Sequence, residues 1–161
     1  MSESPKPLQY FSSDLEALRE LEVSFGIRGD TLNPENITQH LNIIPTNSFA
    51  KNDLKLIGLS NRTTPTRQLK RPWGVWQLST KGIVHSIYIE DHLQYLLDIL
   101  EPKKEQLDVY ISNKQMYSVS FRIWREADGV AGQLDIDAIY LGRICQLCQE
   151  VTIQYLGNIE D

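Results

Sequence analysis

Apolar and polar residues alternate with a period of two at two widely separated places in the chain. Leu21, Val23, Phe25 and Ile27 alternate with Glu22, Ser24, Gly26 and Arg28, which predicts a strand with one buried and one wet face. The run Val23-Ser24-Phe25-Gly26-Ile27 returns as Val119-Ser120-Phe121-Arg122-Ile123. In that second copy Val119, Phe121 and Ile123 face one way, and Ser120, Arg122 and Trp124 face the other. Each copy is followed, after a polar interruption, by a helix-like segment and a second apolar run. The chain therefore reads as two strand-helix-strand halves. Two readings of the repeat stand side by side: a true duplication, or the shared preference of strands for Val, Phe and Ile.

Between and after these runs the pattern changes to helical spacing. Asn33-Pro34-Glu35 supplies an N-cap, a proline at the first helical position and an early acid, and Ile37 and Leu41 share the inward side of the short helix that follows. Residues 72–79 read as a strand in which Trp73 and Val75 point one way and Trp76 and Leu78 the other. Residues 83–88 fit loop or strand equally. Ile89, Leu93, Leu96, Leu97 and Leu100 form a single helical stripe. Pro102 ends or kinks that helix, with a further turn over 103–107. Asp135 or Asp137 caps a last helix carrying Ile136, Ile139, Tyr140, Ile144, Leu147 and Cys148, and Val151, Ile153 and Tyr155 alternate in a closing strand ended by Gly157. The expected fold is α+β: a mixed, mainly antiparallel sheet with helices on one face, built from ferredoxin-like strand-helix-strand halves. Residues 1–13 read as a polar, flexible tail, 14–20 as helical turns or irregular chain, and 14–161 as a single domain with a basic loop at about 51–71.

Composition narrows the class. A chain of 161 residues with 41% hydrophobic and 23% charged residues suits one well-buried core. The net charge of −5 disfavours a protein that coats nucleic acid or anionic membrane. No membrane-spanning run and no secretory pattern stand out, so the expectation is a cytoplasmic protein. Charge is nevertheless segregated. Within 51–71, Lys51, Lys55, Arg62, Arg67, Lys70 and Arg71 face only Asp53, which leaves about −10 on the rest of the chain.

The candidate chemistry is sparse. Cys145 and Cys148 are spaced C-x-x-C, but near the end of a helix, where the dipole disfavours a thiolate, so both read as buried structural residues. No metal site is expected, because the pair has no second cysteine pair and His40, His85 and His92 are not spaced as ligands. His92 beside Glu90 and Asp91 reads as solvated charge at a helix start. No cofactor motif is present. The favoured function is a non-enzymatic binding or regulatory module whose basic loop and adjacent tryptophans meet an acidic protein or a small anion, with Arg67, Lys70, Arg71, Trp73, Trp76, Arg122 and Trp124 as ligand-binding residues. The alternative is an enzyme with a pocket near Arg28, His40 and Arg122.

The combination Val23-Ser-Phe-Gly-Ile27, Asn33-Pro-Glu-Asn-Ile-Thr-Gln-His-Leu41, Ile44-Pro45-Thr46, Gly74-Val-Trp-Gln-Leu-Ser79 and the Leu-rich helix through Leu100 resembles the bacterial domain-of-unknown-function family numbered 4279. The resemblance runs from Leu21 to Tyr155. It departs from the family pattern in the compact connection between Pro102 and Tyr117, and in Asn52-Asp53, where a glycine is usual after the Pro-Thr segment. It implies a small cytosolic α+β domain and supplies no catalytic residues.

Overall fold

Two strands that alternate identically about a central phenylalanine match inward residue to inward residue when they pair antiparallel. In the computed structural model, which describes residues 18–57, 67–128 and 134–158, the two copies of the repeated run are hydrogen-bonded to each other in this way. Strand β1 (Leu18–Gly29) pairs with β6 (Ser118–Asp128) so that Val23 lies opposite Ile123, Phe25 opposite Phe121 and Ile27 opposite Val119. All six side chains are fully buried. The Phe25 and Phe121 rings meet edge to face with centroids 5.2 Å apart, a geometry favoured by the ring quadrupoles.

On its other side β1 pairs antiparallel with β5 (Gly74–Ser79), which in turn pairs with the three-residue β2 (Asn47–Phe49). Beyond β6 lies β7 (Glu150–Asn158), parallel to it. The order is β2-β5-β1-β6-β7, a mixed and mainly antiparallel sheet. Helices α1 (Pro34–Leu41), α2 (Ile89–Leu100), α3 (Lys104–Ser112) and α4 (Ala138–Cys145) contribute Ile37, Leu41, the Leu93–Leu100 stripe, Leu107 and Ile144 to the same cluster as the inward strand residues. The helices therefore cover one sheet face. The expected α+β class is what the chain forms, but the two halves are unequal. β6, α4 and β7 form a strand-helix-strand unit with adjacent parallel strands, whereas β2 is separated from β1 by β5.

Local signals account for the element ends. Asn33 Oδ1 accepts from the amides of Glu35 and Asn36, with Pro34 at the first helical position, and Asp137 Oδ1 accepts from the Ile139 amide at the start of α4. Pro102 ends α2 through a 3-10 turn over Glu101–Lys103, from which α3 continues. Gly29 and Gly74 sit opposite each other in the β1–β5 ladder. A Cβ would lie 2.6 Å from the Met116 carbonyl at Gly29 and 2.7 Å from the Leu32 carbonyl at Gly74. Only glycine lets these two turns close over the end of β1. Helix α4 is tied to the end of α2 by Arg143, whose Nε and Nη2 donate to the two carboxylate oxygens of Glu101 at 2.7 and 2.8 Å. That bidentate bond holds the Glu101 carboxyl below its ordinary range.

Several expectations change. Residues 18–20 are strand, because β1 begins at Leu18, ahead of the alternation seen from Leu21. Residues 83–88 form no strand; 81–83 turn and α2 follows from Ile89. Gly157 lies within β7 and does not end it. The 51–71 segment is not all loop. Strands β3 (Leu54–Ile57) and β4 (Arg67–Lys70) pair as a separate two-stranded ribbon, since pairing satisfies backbone groups that a loop would leave to water. Asn61 to Thr66, read as loop, and the 1–13 tail lie outside the described residues. Among the described residues no helix is long and apolar enough to cross a membrane.

His92 is corrected most sharply, for it is fully buried. Its Nε2 faces the Ser86 carbonyl at 2.9 Å and its Nδ1 faces Thr80 Oγ1 at 2.6 Å. A carbonyl only accepts, so Nε2 carries the hydrogen. In the neutral ring Nδ1 then accepts from the Thr80 hydroxyl, and the Thr80 oxygen accepts from the Val23 amide at 3.0 Å. The Thr80 amide returns a bond to the Val23 carbonyl. The first residue of the repeated run is thus fastened to α2 through a closed polar chain in the core. Thr80→Val, which keeps the shape but strands the Val23 amide and His92 Nδ1, is expected to lower stability by about 2–4 kcal/mol, with Thr80→Ser losing much less. Urea-denaturation midpoints check this, and equal losses in the two variants would refute it.

Candidate functional site

Alternation sends Ser24, Gly26 and Arg28 of β1 to the sheet face that the helices leave open, together with Ser120, Arg122 and Trp124 of β6. Cross-strand register then fixes a grid. Asn47, Gln77, Gly26 and Ser120 form one row across β2, β5, β1 and β6. Phe49, Val75, Arg28 and Ser118 form the next row on one side. Ser79, Ser24 and Arg122 form the row on the other. At this place the face is a concavity of about 320 Å3, lined by Arg28, Arg71, Arg122, Trp73, Phe49 and the polar row. Gly26 is part of its lining, and a Cβ there would touch nothing nearer than the Trp76 carbonyl at 3.8 Å. Glycine there is not a backbone requirement; it leaves the floor open.

The electrostatics are one-sided. Three guanidinium groups line the concavity and no carboxylate does. Among the described residues none of the three arginines forms an ion pair, although the whole chain carries −5. The acids of this face lie outside the lining: Glu150 of β7 is in register with Ser120, and farther along Glu22 is opposite Trp124 and Glu20 opposite Glu126. There Glu22 accepts from the Ser79 hydroxyl and Glu20 pairs with Lys81 at 2.6 Å. Two of the arginines are braced by rings. The Arg28 guanidinium lies 4.9 Å from the Trp73 ring centre, and that of Arg71 lies 3.8 Å from Phe49. The backbone of Arg71 is clamped as well: its amide donates to the Asp53 carbonyl and its carbonyl accepts from Asn52. Asn52 itself takes a left-handed conformation with φ of 70°.

The expected ligand-binding residues divide accordingly. Arg71, Trp73 and Arg122 come together in the concavity. Trp76 does not. It is fully buried on the helix side of β5, with Nε1 donating to Thr38 Oγ1 at 3.0 Å. Trp124 is on the open face, beside Glu22 and outside the concavity. Lys70 is exposed on the β3–β4 ribbon, opposite Leu54. The backbone of Arg67 lies in β4, and its side chain lies outside the described residues. The Arg28, His40 and Arg122 grouping does not form a common pocket. His40 is on the helix side, where its Nδ1 meets Tyr110 Oη at 2.9 Å, and burial raises the Tyr110 hydroxyl pKa. Sequence reading missed Asn47 and Phe49, because a three-residue edge strand has no periodicity to detect. The outward set Ser24, Gly26 and Arg28 was visible from alternation alone.

The cysteines differ from each other. Helix α4 ends at Cys145, which is exposed, and Cys148 lies beyond it, buried. The pair therefore does not share a helical face, and only Cys148 is a core residue. Its Sγ donates to the Ile144 carbonyl at 3.2 Å, and burial pushes its thiol pKa up. Among the described residues no three His, Cys, Asp or Glu side chains come together as metal ligands.

Residues 19–157 match the family described as a domain of unknown function, DUF4279. The chain belongs to that family. No curated protein and no solved structure matches it.

The two thiols make a direct test of this geometry. Native protein is expected to react with one equivalent of a thiol reagent, at Cys145, and with two after unfolding. Rapid reaction of both in the native state would contradict the burial of Cys148.

Proposed function

We propose that this protein is a binding module that holds an acidic ligand, a small anion or an acidic protein surface, against the open face of its sheet. The observation that carries the reading is the set Arg28, Arg71 and Arg122, which line one concavity with no carboxylate among them. Leaving like charges together without partners is unfavourable unless a ligand supplies the opposite charge. Arginine is also the side chain best suited to grip carboxylate or phosphate through paired bonds. The cationic centre thus shifts from the 51–71 segment as a whole to the sheet face, with Arg71 as the residue of that segment that reaches it. Lys51 is already engaged by Asp30. The lining holds the hydroxyls of Ser24 and Ser120 but no histidine, cysteine or carboxylate to activate them, which favours binding over catalysis. Cys145 and Cys148 are both free thiols, which supports the proposal that the protein works in the reducing environment of the cytoplasm.

Calorimetric titration with citrate at low ionic strength tests the reading. Binding is expected and is expected to weaken as salt is added. The double substitution Arg28→Gln with Arg122→Gln should reduce affinity by at least about tenfold, or ~1.4 kcal/mol. Replacing the ribbon lysines Lys55 and Lys70 by Gln should change it little. Absence of binding at low salt, or dependence on the ribbon lysines in place of the arginines, would overturn the assignment.

A further inference from the structure

Resting on that anion-binding reading, we infer that the ligand is a small molecule with two oxyanionic groups, carboxylate or phosphate, at opposite ends of a polar body. The positive charge is not gathered at one point. Arg28 and Arg71 stand at the Phe49 and Trp73 end of the concavity. Arg122 stands at the other end, opposite Ser24, which lies four residues before Arg28 on β1. At the rise of an extended strand those two rows are about 14 Å apart along the backbone, with Gly26 between them. The ground between them is uncharged and hydrogen-bonding: Ser24, Asn47, Gln77 and Ser120 around a glycine that adds no bulk. Two charged ends and a neutral polar middle describe the complement of a bis-anion.

The aromatic residues narrow the class further. A nucleic-acid strand needs open ring faces on which bases stack. Here Trp73 and Phe49 each have a guanidinium against them. These rings position arginines, and so reduce the rotamer freedom lost when an oxyanion binds. The volume of about 320 Å3 is at the small end of metabolite pockets. It gives room for one compact molecule and no track for a polymer.

The test compares matched probes by calorimetry: adipate against hexanoate, and pyrophosphate against inorganic phosphate. At least one bis-anion should bind more than about tenfold tighter than its counterpart with one oxyanionic group, and which pair responds identifies the oxyanion type. Arg122→Gln should bring that bis-anion down to the level of its one-group counterpart while moving hexanoate and phosphate less than about twofold. Gly26→Val should abolish binding with its urea midpoint unchanged, because its Cβ meets no close neighbour. Equal affinity within both pairs would sink the bis-anion inference and leave the anion site standing. Tighter binding of a short single-stranded oligonucleotide than of either bis-anion would also sink it. Failure of every anion to bind would remove both readings together.

Discussion

The pairing of Phe25 with Phe121 is the contact on which the rest of the molecule depends. It lies at the middle of the β1–β6 ladder, where two copies of the same five-residue pattern run in opposite directions. In that register Val23, Phe25 and Ile27 meet Ile123, Phe121 and Val119 on one face. A slip of one residue would turn either set outward. Trp76 packs edge-on against Phe25 from β5, and α1 to α4 close over the same cluster. Each large side chain buried there contributes about 1.5–3 kcal/mol, so the register is held by many such terms at once. The bond chain from Val23 through Thr80 to His92 ties the same strand to α2.

The open face follows from the buried one. Once the hydrophobic side of the ladder is fixed, alternation leaves Ser24, Gly26 and Arg28 beside Ser120 and Arg122 on the other side. The repeated runs differ at one outward position, glycine in the first copy and arginine in the second. Antiparallel pairing sets these two diagonally, Gly26 across from Ser120 and Arg122 across from Ser24. The exchange thus opens a hollow and places a cation at its edge in one step. Strands β5 and β2 extend that hollow with Gln77, Asn47 and Phe49, Trp73 adds to it from just ahead of β5, and the bonds of Asn52 and Asp53 fix Arg71 at its rim.

Much of the architecture was legible in the sequence because burial imposes periodicity. The two long strands, the α2 stripe and the caps at Asn33 and Asp137 all declare themselves through local spacing. Less legible were features that depend on residues far apart. His92 sits beside two acids and reads as surface, yet α2 turns it inward onto Thr80. Cys145 and Cys148 fit one helical face, yet the helix ends at the first of them. Trp73 and Trp76 look like equivalent candidates for a ligand, and only the sheet's two sides tell them apart.

The sequence by itself determined the family, the α+β class and which face of each main strand is wet, because alternation and helical spacing are local consequences of burying one side of a regular backbone. It also showed that positive charge is unevenly placed. Only the tertiary structure decided that Arg28, Arg71 and Arg122 share a hollow, that His40 lies on the other side of the sheet, and that Trp76 belongs to the core. Those outcomes turn on strand order and register, which arise from contacts between segments as far apart in the chain as β1 and β6 and leave no trace in the spacing of neighbouring residues.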